Sequence, residues 1–220
     1  MSSVQKTTTS TTTISTPTPK DQSKLSKFLL DPWSTAKVAI PSAACSLILY
    51  KTCVSKASLR ELTLSLTALN AIWFATITNV AFLETPLLAA VPSLDEWQKV
   101  DICRHRISWM NKLETKVSLL NLGLLISWND RIVKNNGFVD NMLKAAAVAP
   151  IAITVIQSAY FTPRLNKRAI QIGRGEAMVE GVYDHQSPPL TGLVGYIALD
   201  AIKVAALAVA GLRFGLMLKN

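Results

Sequence analysis

Between Glu61 and Glu84 the chain runs for twenty-two residues, 62–83, without a single Asp, Glu, Lys or Arg. As a helix this stretch is about 33 Å long at ~1.5 Å per residue, enough to cross a hydrocarbon layer of ~30 Å. Half of the 220 residues are hydrophobic and 17% are charged, although the first quarter of the chain is polar. The apolar residues are therefore gathered in the remainder, which excludes a fibrous or wholly disordered protein and points to a bilayer as solvent.

Three more stretches follow the same logic. Residues 107–128 form a second helix with a charged beginning (Lys112, Glu114, Lys116). Residues 145–161 form a third, with nineteen residues between Lys144 and Arg164, and residues 190–212 form a fourth, apolar except for Asp200 and Lys203. Upstream, residues 38–50 are uncharged but contain Pro41, and thirteen residues fall short of a crossing; an interfacial or half-inserted helix is expected, a short spanning one being the alternative.

The expected fold is all-α: a four-transmembrane-helix bundle built from two similar hairpins. It divides into a disordered tail (1–26), a basic juxtamembrane segment (27–61), a first hairpin (62–128), a polar turn (129–144) and a second hairpin (145–217). Twelve of the first eighteen residues are Ser or Thr, with no apolar group to order them and no apolar region of a cleavable secretory signal. Pro86 and Pro92 are expected to break the chain after the first helix, and residues 93–105 to form a short amphipathic connector.

The net charge of +9 does not indicate nucleic acid, because Lys and Arg lie between the apolar stretches instead of forming a stripe with interleaved aromatics. That placement suits lipid headgroups, so the expected partners are the bilayer and possible membrane-protein partners or further copies of the chain. Counting basic residues at the helix ends gives eight on one face and nine on the other, which assigns no sidedness. The expected localisation is an integral, multi-pass membrane protein.

The two hairpins look like copies. Thr85-Pro86 after the first helix recurs as Thr162-Pro163 after the third, 77 residues on; Leu113-Glu114 in the second recurs as Leu199-Asp200 in the fourth, 86 residues on. Tandem two-helix copies share one orientation, so their twofold would run along the membrane normal. Chance placement of Pro after two helix ends is the competing explanation.

Glu84-Thr85-Pro86, Asn111-Lys112-Leu113-Glu114, Pro163-Arg164-Leu165-Asn166, His185 and Tyr196-x-x-Leu199-Asp200-x-x-Lys203 together resemble a group of uncharacterised bacterial-type four-helix integral membrane proteins, over about residues 62–215. That resemblance implies the fold and no activity. Ala149-Pro150 and the stretch from Pro163 to Arg168 are similar to anthrone-oxygenase-like membrane proteins, although the Trp and Arg pairing of their last helix is missing. A general four-helix likeness to the transmembrane protein 205 group is also present.

Ionisable groups inside spans are costly and are default functional candidates. Asp200 and Lys203 share a helix face, either as a functional pair or as an ion pair that lowers insertion cost. Asn111, Glu114, Ser118 and Asn121 make one polar stripe, and Gly192, Tyr196, Asp200 and Lys203 make its counterpart. The binding candidates are Glu114, Tyr196, Asp200, Lys203 and Asn121, with Glu114 alternatively solvated at headgroup level. Asn79 and Gln157 read as hydrogen-bonding glue between helices. Gly211 and Gly215 form a GxxxG pair interrupted by Arg213, a weak dimerisation signal.

His105 and His185, one in each connector, are the candidates for a metal, but two imidazoles with no carboxylate or cysteine cluster make a poor site; no metal or cofactor is expected. HExxH, P-loop and GxGxxG patterns are missing. The functional expectation is a small-solute or proton binding or transport module, or an accessory membrane subunit. The alternative is a small cofactor-independent enzyme acting on a lipid-soluble substrate, with the same carboxylates as acid and base.

Overall fold

A computed structural model describes residues 24–166 and 189–219, apart from residues 32 and 95. Among them every regular element is helical: α1 (Lys24–Leu30), α2 (Ser34–Leu49), α3 (Leu59–Ile77), α4 (Thr85–Ala90), α5 (Glu96–Lys134), α6 (Asn141–Ile156) and α7 (Pro189–Lys219). Three π-helical turns, Tyr50–Val54, Thr78–Glu84 and Gln157–Phe161, extend α2, α3 and α6.

The helix ends are written in local chemistry. Ser58 and Glu61 form a reciprocal capping box at the start of α3, Glu61 N–H donating to Ser58 Oγ and Ser58 N–H to Glu61 Oε2. Asp140 caps α6 by accepting from Met142 N–H. At the end of α5, Asn136 takes the left-handed conformation (φ 54°), with Gly137 N–H donating to Ile132 O and Asn136 N–H to Val133 O. This is a Schellman stop built on Asn.

α3, α5, α6 and α7 form a ring in which α3 packs on α5 and α7, and α6 packs on the same two. These four contain the four apolar stretches read from the sequence, so the bundle is the expected one. α2 lies outside the ring against α5. It is anchored at one end by Lys112 Nζ, which donates to Leu29 O just upstream, and at the other by Arg131 Nη2, which donates to Ser55 O just downstream. α2 thus runs alongside α5 for about 28 Å, 19 residues at ~1.5 Å each. The uncharged stretch 38–50 is only its middle: Pro41 sits inside a continuous helix, and Ser34–Val54 is long and apolar enough to cross.

Four helical segments meet that criterion: Ser34–Val54, Leu59–Leu88, Asn141–Asn166 and Val194–Lys219. α5 does not, because its charges lower its mean hydropathy, yet its 39 residues run the whole length of the bundle. The expected connector and second helix are one helix, since Gly123 is the sole glycine and no proline falls between Glu96 and Lys134. Pro86 and Pro163 do not end their helices either. In each case a π turn precedes the proline, and the hydroxyl of the threonine before it donates to the carbonyl five residues back: Thr85 to Val80 (2.7 Å), Thr162 to Gln157 (2.9 Å).

The buried faces of the ring repeat in the same register. Leu62, Leu66, Asn70, Trp73 and Ile77 of α3 are buried, and so are Val139, Leu143, Ala147, Pro150 and Thr154, each 77 residues on. Met110, Glu114, Asn121, Leu124 and Trp128 of α5 are buried, as are Tyr196, Asp200, Leu207, Ala210 and Phe214, each 86 residues on. Matched helices stand diagonally across the ring. α3 and α7 approach most closely, with Gly211 and Gly215 of α7 facing the side chains of Asn70 and Thr67.

Candidate functional site

Lys203, fully buried in α7, meets two carboxylates from different helices. Its Nζ donates to Glu114 Oε1 (3.0 Å) and Oε2 (2.9 Å) on α5, to Asp200 Oδ1 (3.2 Å) one turn back on α7, and to Gln157 Oε1 on the π turn after α6. Gln157 Nε2 donates to Asp200 Oδ1 (2.8 Å) and to the carbonyl of Tyr196 (3.2 Å). Trp73 Nε1–H of α3 approaches Glu114 Oε1 at 3.5 Å. All four ring helices thus contribute to one cluster, and each of its side chains is buried.

The charge count defines the chemistry. With both carboxylates ionised and Lys203 protonated, the cluster carries one negative charge in excess. Moving an ion into a low-dielectric interior costs several kcal/mol, on the order of 5, unless it is paired. Neutrality therefore calls for one further positive charge, a proton or a small cation.

A cleft reaches this cluster from the Thr85 and Arg106 end of the bundle. Its walls are apolar, mainly Ile77, Val80, Ile107 and Met110, and its floor is formed by Glu114, Tyr196 and Asp200. The free space within it fits about two to four water molecules. At its mouth Arg106 pairs with Glu84 (Nη2 to Oε2, 3.1 Å) and donates to the Val80 carbonyl (2.7 Å), the same oxygen that accepts from Thr85. The Cys103 side chain also lines the cleft wall.

Of the candidates read from the sequence, Glu114, Asp200 and Lys203 come together and Tyr196 lines the same cleft. Glu114 is buried at the centre, not solvated at headgroup level. Asn121 is buried on the same face of α5 but lies seven residues from Glu114, about 10 Å along the axis. His105 Nδ1 lies 2.8 Å from the Asp101 carbonyl on the outer part of α5, and His185 falls outside the described residues. Among the described residues no three His, Cys, Asp or Glu side chains cluster as metal ligands.

Gln157 joins helices as its sequence position suggested, and does so by binding Asp200 and Lys203 directly. One member of the cluster escaped the sequence reading: Trp73, which caps Glu114. Nothing in one sequence separates Trp73 from other apolar residues of its helix. The cluster does not follow the 77- and 86-residue register of the buried faces: the positions so matched to Lys203, Gln157 and Trp73 hold Val117, Val80 and Pro150.

No protein-family model, no curated protein and no solved structure matches this chain.

Proposed function

We propose that this all-α bundle is a multi-pass integral membrane protein whose Glu114–Asp200–Lys203 cluster binds and releases a proton, as the core of a small proton-transfer or transport module. The observation that carries this reading is the single buried ammonium shared by two carboxylates at the floor of a cleft. One excess negative charge and room for a few waters favour a proton over a bulkier solute. The same narrowness argues against a lipid-soluble substrate reaching the carboxylates, and so against the enzyme alternative.

The matched buried faces and the two π–Thr-Pro turns support the reading of an internal duplication, with its twofold along the membrane normal. A second role, as an accessory subunit, draws on α2, whose apolar stretch has no residue buried within the chain. The face of α2 turned away from α5 is left available to a neighbouring membrane protein or a further copy.

The test is proton uptake into proteoliposomes carrying an internal pH dye, driven by a potassium–valinomycin potential. Wild type is expected to acidify the lumen faster than empty vesicles. Asp200→Asn, which leaves a neutral Glu114–Lys203 pair, is expected to return the rate to background while remaining inserted and folded. An Asp200→Asn protein as active as wild type defeats the proposal.

A further inference from the structure

The cleft stops at the ion cluster, but buried polarity does not. One turn beyond Glu114 stands Ser118, and three residues further Asn121; both are buried on the interior face of α5. Asn121 is 1% exposed, and neither its Oδ1 nor its Nδ2 has a hydrogen-bond partner. Asn70 of α3, also 1% exposed, donates from Nδ2 to the Leu66 carbonyl while its Oδ1 has no partner.

α3 packs against α5, and both asparagines lie between the same two hydrogen bonds that join these helices. Trp73 bonds Glu114 on one side, and Trp128 Nε1 bonds Thr63 Oγ1 (3.0 Å) on the other. Asn70 lies between Trp73 and Thr63, and Asn121 lies midway between Glu114 and Trp128. Buried amides are almost always satisfied, and a buried water makes about three hydrogen bonds. Three buried amide atoms without partners, on two helices packed against each other, call for such a water.

We propose that Asn70 and Asn121 form a buried water site, and that its water, with Ser118, extends the proton path from Glu114 into the bundle beyond the cluster. This relay rests on the proton-transfer reading of the cluster. It assigns to Asn121 a role in conduction and none in proton binding.

The experiment uses the full-length protein in liposomes. Solid-state NMR is expected to show rapid polarisation transfer from water to the Asn121 side-chain amide, identified by its loss in Asn121→Leu; no transfer overturns the water site. In the dye assay, Asn121→Leu is expected to slow proton uptake by about tenfold or more, because leucine displaces the water without replacing its bonds, whereas Asn121→Ser stays within about threefold of wild type. The Trp73-dependent part of the fluorescence, obtained as the difference from Trp73→Phe, is expected to titrate as in wild type in both variants.

Uptake unchanged in Asn121→Leu overturns the relay and leaves the cluster's function standing. Wild-type vesicles that take up no protons overturn the function itself and the relay with it. Should Asn121→Leu fail to fold, Asn121→Ser against Asn121→Ala makes the same comparison, with equal rates counting against the relay.

Discussion

Trp128 and Phe214 meet edge to face in the core, ring centroids 5.1 Å apart, and the 86 residues between them are also the displacement from Glu114 to Asp200. Both rings are buried, and together with the Lys203–Glu114 ion pair they join the diagonal helices α5 and α7. Phe214→Ala is expected to destabilise the bundle by about 3–5 kcal/mol through cavity formation, with ~0.5–1.5 kcal/mol of coupling to Trp128. Denaturant titration in mixed micelles, run as a double-mutant cycle, measures both. A loss below about 1 kcal/mol would show that this end of the core is not packed as described.

Removing Lys203 strands two carboxylates in the interior. Lys203→Met is expected to cost about 3–5 kcal/mol, whereas adding Glu114→Gln and Asp200→Asn recovers most of it, since an uncharged cluster needs no counter-ion. Thermal unfolding in detergent compares the two. A triple variant no more stable than Lys203→Met contradicts the charge argument.

The close approach of α3 and α7 depends on glycine. A methyl on Gly211 meets the Asn70 side chain at 4.0 Å, an ordinary contact, so Gly211→Ala is expected to change stability by less than about 1 kcal/mol. Gly211→Leu overfills the interface at an expected cost of about 1–3 kcal/mol. Equal effects from the two substitutions would place α7 further from α3.

Outside the bundle, hydrogen bonds from Lys37 and then from Trp33 N–H hold the Asp31 carboxyl below its ordinary range. A depressed folded-state pKa stabilises the α1–α2 corner at pH values above the unfolded value of about 3.9, and that contribution disappears as pH falls through the folded value. Amide exchange at Trp33 is expected to accelerate on acidification in wild type and to lose this pH response in Asp31→Asn. An unchanged response in the variant removes Asp31 as its cause.

Charge-free length was enough to find α3, α6 and α7, whereas residues 107–128 are only the later part of α5; helical periodicity put Glu114 on the same face as Asn111, Ser118 and Asn121. Proline was over-read as a terminator: at Pro86 and Pro163 a π turn and a threonine hydroxyl rearrange the bonding, and neither leaves a mark in residue type. α2 was under-read because charge-free length undervalues a helix whose ends are Ser34 and Val54 and whose charges, Lys37 and Lys51, sit near those ends. Asp200 and Lys203 were legible as a pair. That Glu114 and Gln157 complete them depends on how helices dock, which one chain's periodicity does not encode.

The placement of Val117 where the repeat would put a second lysine fixes a stoichiometry. The buried faces match in register, but only one of the matched positions carries an ammonium. Each polypeptide therefore holds a single Glu114–Asp200–Lys203 cluster among its described residues, and a second such centre would have to come from another chain.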